Sequence, residues 1–242
     1  MPVEGVRVVA FDVFGTAVDW RTGVARAVAA AAARRGAAVD EWAFADAWRE
    51  RYHPALGAVR SGRREWVNLD RLHRESLDEL LDRFDVGELF DDRERRELVR
   101  SWHRLPPWPD VGPGLERLRA DRTVAALSNG GYALLTTLAK HAGLPVDAVL
   151  SAELAGTYKP DPHVYRTAAR LLDVRPDEML LVAAHHWDIE GARAVGLRTA
   201  FLERPLEKGP HGLPDRAVDV TSDLAVTGFT ELAEHLAPPA AA

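Results

Sequence analysis

The stretch Val6-Arg7-Val8-Val9-Ala10-Phe11-Asp12-Val13-Phe14-Gly15-Thr16 constrains this chain more than any other. A short apolar run rich in β-branched residues reads as a buried strand. It ends on an aspartate, and the turn that follows carries Gly15 and Thr16. A carboxylate at the mouth of a strand costs desolvation energy unless cations or backbone N–H groups face it. In α/β folds ligands bind at the carboxyl ends of parallel strands, so Asp12 stands where a nucleophile is presented. The plainer role for the same residue is to cap the following turn.

The rest of the chain supplies the context. Residues 22–35 are alanine-rich with arginines, a helix composition that Gly36 closes. Residues 40–58 carry Trp42, Ala45, Trp48 and Tyr52 at helical spacing. Trp66, Leu69, Leu72, Leu77, Leu80 and Leu81 mark a third helix, and residues 91–103 a fourth. No strand alternation interrupts residues 20–103. After the stiff return Leu105-Pro106-Pro107-Trp108-Pro109 the rhythm changes to helix and strand in turn. Strands are expected at 123–127, 148–151, 179–184, 198–202 and 217–220, and helices at 111–120, 132–142, 162–172, 189–195 and 230–236. Strands spaced by helices of this length form right-handed βαβ units and a parallel sheet. The expected fold is therefore α/β: a Rossmann-like parallel core, residues 1–17 and 104–242, with helices on both faces. An all-helical cap, residues 18–103, is inserted after the first strand. Residues 238–242 read as a frayed tail.

Composition narrows the chemistry. The chain has no cysteine, which removes disulfides, thiol catalysis and thiolate metal sites together. A net charge of −6 gives no reason to expect a nucleic-acid partner. No signal peptide and no long apolar run is evident, so a cytoplasmic protein without membrane attachment is expected.

Three strand ends bring polar residues to one rim: Asp12, Ser128 with Asn129, and Asp188. A fourth segment, Gly156-Thr157-Tyr158-Lys159-Pro160-Asp161-Pro162, sets Lys159 just before a helix started by proline. Lys159 reads as the cation that keeps Asp12 ionised. The segments Phe11-Asp12-Val13-Phe14-Gly15-Thr16, Leu127-Ser128-Asn129-Gly130, Tyr158-Lys159-Pro160-Asp161 and Trp187-Asp188 resemble, in order, the four motifs of the haloacid dehalogenase superfamily. Phosphatases of that superfamily carry a second aspartate two residues after the nucleophile, to protonate a departing alkoxide. Here that position is Phe14, and a halide leaves without a proton. With Trp48-Arg49 in the cap and Tyr165 after Lys159, the chain resembles the (S)-2-haloacid dehalogenases.

The resemblance implies roles residue by residue. Asp12 would displace halide with inversion, and water would hydrolyse the resulting ester. Ser128 and the backbone N–H groups of Val13 and Phe14 would hold the substrate carboxylate. Arg49 and Asn129, with the ring edge of Trp187, would cradle the halide. Lys159 would offset the charge that Asp12 shares with the substrate. Tyr165 would steady Lys159, and Asp188 would orient Lys159 or the hydrolytic water. No metal or other cofactor is implied, the substrate would be a short haloacid (haloacetate, fluoroacetate or an (S)-2-haloacid), and relatives of this type are commonly homodimers. The chain departs from the family at Ala183-Ala184-His185, where those enzymes have Ser-Ser-Asn, so His185 or His186 is expected to act as base on the water or to hydrogen-bond departing fluoride. Trp42, Trp66, Trp102 and Trp108 read as packing residues, residues 60–64 as a solvated loop, and His53, His73 and His103 as residues without metal-site spacing. A magnesium-dependent phosphatase with Asp12 and Asp188 as ligands, and an idle binding relative, are the competing readings.

Overall fold

The computed structural model describes residues 3–237, so the expected tail lies outside the described residues. Strand β1 (Val8–Phe11) is buried along its whole length, as a strand covered on both faces must be. It lies at the centre of a six-stranded parallel sheet of order β3-β2-β1-β4-β5-β6. The other strands are β2 (Thr123–Ser128), β3 (Ala148–Ser151), β4 (Met179–Ala183), β5 (Arg198–Leu202) and β6 (Leu224–Val226). From β1 the chain steps outward to β2 and β3, then crosses back to β4 on the other side of β1. Such a reversal opens a crevice at the carboxyl ends of the two central strands. Phe11 pairs with Ala126 on one side and Val182 on the other, so Asp12 and His185 emerge at opposite lips of that crevice.

Between β1 and the return at Pro106 lie five α-helices: α1 (Trp20–Arg34), α2 (Glu41–Glu50), α3 (Tyr52–Arg60), α4 (Leu69–Arg83) and α5 (Asp92–Val99). The chain leaves and re-enters the sheet region through a narrow neck. The Asp19 N–H donates to the Pro106 carbonyl at 2.9 Å, and the Trp108 N–H to the Ala17 carbonyl at 3.0 Å. The Asp19 side chain then caps α1 by accepting from the Thr22 N–H. Beyond the neck follow α6 (Val111–Arg119), α7 (Tyr132–His141), α8 (Pro162–Leu171), α9 (His186–Arg193) and α10 (Phe229–His235).

Several expected elements are corrected. The helix expected over 40–58 is two helices, because Pro54 has no N–H for the carbonyl four residues back and can sit only in a new first turn. Residues 91–103 form α5 and then a 3₁₀ turn at Arg100–His103. The strand expected at 217–220 is a 3₁₀ turn, Ala217–Asp219, with Val218 on the surface; the edge strand is Leu224–Val226. Helix α9 starts at His186, which places Asp188 in its first turn, where a negative side chain meets the positive helix end. Trp42 is not a packing residue: it is 40% exposed, with the Arg21 guanidinium over its ring. Among the described residues no helix is long and apolar enough to cross a membrane.

Candidate active site

Gly15 has φ +87°, a conformation that glycine adopts without strain, and the turn it makes brings Thr16 back beneath Asp12. The Thr16 hydroxyl donates to Oδ2 of Asp12 at 3.1 Å and accepts the Ala184 N–H at 3.0 Å. Oδ1 of Asp12 accepts from Lys159 Nζ at 2.9 Å. Lys159 is 1% exposed, and its other two donors go to the Leu127 carbonyl at 2.9 Å and Oδ2 of Asp188 at 2.5 Å. Oδ1 of Asp188 accepts from the Tyr165 hydroxyl at 2.7 Å.

The loop that delivers Lys159 is pinned by Asn129. Its Oδ1 accepts the Lys159 N–H at 2.7 Å, while Nδ2 donates to the Tyr52 hydroxyl at 3.0 Å and the Lys159 carbonyl at 3.5 Å. Asn129 thus ties the rim of the sheet to α3. Burial by itself raises the Asp12 carboxyl; Lys159 and His185 outweigh it and hold Asp12 far below the usual carboxylate range. Burial likewise lowers the Lys159 ammonium, and the two aspartates reverse that and push it up. Asp188 goes the other way from Asp12, raised by burial and by the Asp12 charge against the pull of Lys159. One lysine thus bridges the two aspartates and holds Asp12 in its ionised form.

His185 follows β4 and is 5% exposed. Its Nδ1 lies 3.3 Å from Oδ2 of Asp12, an ion-pair distance at an angle that makes no hydrogen bond. Its Nε2 lies 3.0 Å from Oε1 of Glu207, which also accepts from Trp20 Nε1 at 3.0 Å. Burial lowers the imidazole, but Glu207 and Asp12 reverse this and raise it to about 10. Glu207 in turn, 3% exposed, is held down to about 2, chiefly by His185 against its own burial. Sequence reasoning missed Glu207. It sits in the irregular segment after β5, and the rim position of that strand end was the signal available.

Above this charged floor opens a cavity of about 420 Å³, lined by Trp20, Arg49, His53, His185, Trp187 and Glu207 among others. Arg49 faces it, with its guanidinium 4.2 Å from the Tyr52 ring centre and a buried Nη1 that has no hydrogen-bond partner. Trp48 points the opposite way, into the helices, where its Nε1 donates to the His73 carbonyl. The Trp187 ring stacks on His185 at 5.6 Å, and His53 meets it edge-on. His53 thus lines the cavity, and burial lowers its imidazole to about 4, leaving it neutral near pH 7. Ser128 is fully buried at the end of β2. Val13 and Phe14 are buried too, the Phe14 ring packs edge-on against Trp102, and neither is among the residues that line the cavity. His186 is turned away: its N–H donates to Asp215, and Nε2 lies against the Arg216 backbone. The 60–64 loop is only partly solvated, since Arg60 reaches the Lys159 carbonyl and Arg64 forks Glu75. Among the described residues no group of three or more His, Cys, Asp or Glu is arranged to hold a metal ion.

A buried carboxylate at the switch point, with a lysine and a second aspartate behind it, is an arrangement suited to hydrolysis in an α/β fold. The model of the haloacid dehalogenase-like hydrolases matches residues 6–196, and the chain belongs to that family. It is 33% identical over 205 residues to (S)-2-haloacid dehalogenase 1 of Pseudomonas sp. (strain CBS-3), spanning 84% of this chain and 86% of the relative. Among solved structures, a defluorinating L-2-haloacid dehalogenase is 48% identical with a TM-score of 0.93, covering 96% of this chain and 95% of the other. Another L-2-haloacid dehalogenase is 44% identical with a TM-score of 0.91, covering 96% and 98%.

Proposed function

We propose that this protein hydrolyses the carbon–halogen bond of short 2-haloacids, haloacetates included, through an ester on Asp12. The observation that carries the reading is the ionised Asp12 carboxylate, bonded to Lys159 and beside His185, which lines a cavity together with Arg49, whose buried Nη1 has no partner. A carboxylate attacks the halogen-bearing carbon only if the substrate's own carboxylate can approach it, and the Lys159 cation offsets that repulsion. Halide carries the bonding pair away as an anion, which suits the guanidinium of Arg49. Ser128 and the backbone of Val13 and Phe14 would hold the substrate carboxylate. The Asn129 amide, already bonded on both sides, acts by fixing Lys159 and Tyr52 beside the halide. Trp187 gives the halide an apolar wall, and Tyr165 and Asp188 keep Lys159 in place. Phe14 has no proton to give an alkoxide, which argues against a phosphoester substrate. Similarity to dehalogenases, one of them described as defluorinating, supports the same choice.

The test is halide release from chloroacetate, fluoroacetate and (S)-2-chloropropionate in the presence of EDTA, for the wild type and Asp12→Asn. Release by the wild type that disappears in the variant is expected. No release from any of the three, or release that survives the loss of Asp12, would overturn the reading.

A further inference from the structure

We infer that Glu207 is a positioning residue that makes His185 Nδ1 the general base for hydrolysis of the Asp12 ester. This rests on the reaction proposed above and assigns its second half. Glu207 fixes which nitrogen reacts. With Nε2 against Oε1 of Glu207 at 3.0 Å, the proton on that side is committed, and Nδ1 is left as the nitrogen that faces Asp12 at 3.3 Å. Nδ1 is buried and makes no hydrogen bond in the resting site, so it is the unpartnered nitrogen nearest the carboxyl that becomes the ester. The Glu207 carboxylate is itself fixed by Trp20 Nε1. Gly15 gives it room, because a Cβ there would lie 2.2 Å from Oε1.

The two half-reactions use the same pair differently. In the resting site His185 is an imidazolium between two carboxylates, Asp12 and Glu207. Alkylation of Asp12 forms the C–O bond, breaks the C–X bond and removes the charge nearest Nδ1. The imidazolium then loses its Nδ1 proton to solvent, and Glu207 keeps the remaining one on Nε2. Nδ1 takes a proton from water as the hydroxide attacks the Asp12 carbonyl carbon. The tetrahedral intermediate breaks the bond between that carbon and the ester oxygen. The departing 2-hydroxyacid alkoxide takes the proton from Nδ1, and the new Asp12 carboxyl passes its own to His185. Each turnover consumes one water and releases one halide and one proton. The charged groups paired with His185 are Asp12 and Glu207, and Asp46, Arg49, Glu50, Lys208 and Asp215 line the same cavity; among these only Asp12 changes charge between the halves.

The experiment is rapid-quench halide release from chloroacetate with intact-mass detection of the enzyme, for Glu207→Gln, His185→Gln and the double variant. The amide of Glu207→Gln can still accept from Trp20, so the fold is kept while the carboxylate is lost. Expected is a halide burst of one per active site in each variant, followed by turnover slowed on the order of 10²-fold, the scale of general base catalysis. The accumulated protein should carry the mass of one carboxymethyl group, and the double variant should be no slower than either single one. Wild-type turnover in Glu207→Gln, loss of the burst itself, or additive losses in the double variant would each overturn the assignment while leaving the dehalogenase reading intact. Absence of both halide release and ester in the wild type would overturn both.

Discussion

Arg49 pays for its place with an unsatisfied bond: Nη1 is buried, charged and without a partner. A buried donor left unpaired costs about 1–3 kcal/mol, more when charged, and such groups persist where a ligand completes them. The guanidinium lies between the Tyr52 ring at 4.2 Å and the Trp20 ring at 5.4 Å, which fix its plane and leave Nη1 free. Arg49→Leu is therefore expected to lower kcat/KM for chloroacetate by about 10²–10³, the scale for losing one preorganised donor to a developing anion. Its urea midpoint should stay level or rise, since the variant removes a strained charge. Arg49→Lys should fall between, because an ammonium cannot reproduce the planar fork. A large loss of stability in Arg49→Leu would show instead that the residue serves the fold. The choice between Trp48 and Arg49 for the cavity was open from sequence alone. Both lie on one helix, 100° apart, and only packing partners such as Trp102 at 5.6 Å from Trp48 set the phase.

At the scale of elements, what was legible followed from local pattern. Asp12, Ser128, Asn129 and Asp188 each follow or end a buried strand or open a helix, so periodicity placed them on one rim, and Lys159 was placed by the proline-started helix just after its turn. Glu207 and β6 were not legible, because the segment after β5 has neither period. Glu207 gains its role from Trp20, 187 residues away, and β6 from pairing with β5, with the Asp223 carboxylate taking the Thr199 N–H. Close approaches between elements are equally hidden. Gly114 of α6 faces α10 so closely that a Cβ would lie 2.4 Å from Phe229 Cβ, 2.5 Å from its carbonyl carbon and 2.7 Å from its oxygen. Gly to Ala inside a helix gains about 1 kcal/mol of propensity, whereas overpacking costs about 1–3 kcal/mol. The opposing atoms here are backbone and cannot rotate aside, so overpacking wins. Gly114→Ala should lower Tm by several degrees, as read by calorimetry; a rise in Tm would mean that the two helices separate freely.

For the whole molecule, the buried histidines shape stability against pH from both sides. The His185 imidazole is raised to about 10 in the fold from an ordinary 6.5, because Glu207 and Asp12 flank it. The folded state thus holds a proton that the unfolded chain has lost. That contribution is complete below about pH 6.5 and disappears as pH rises toward 10. His73, stacked on Trp102, goes the other way, lowered by burial to about 3. Its contribution is complete above pH 6.5 and is lost as pH falls, and the contributions of Asp12 and Glu207 fade further down that same limb. Stability should therefore peak near pH 6.5, with limbs no steeper than about 1.4 kcal/mol per pH unit for each proton involved. His185→Gln should flatten the limb between pH 6.5 and 10 and also weaken the lowest part of the acid limb, where Asp12 and Glu207 lose their cationic partner, whereas His73→Phe should soften the acid limb alone. Urea midpoints measured from pH 4 to 10 check both. An alkaline limb unchanged in His185→Gln would mean that the imidazolium between Asp12 and Glu207 does not hold its proton through that range.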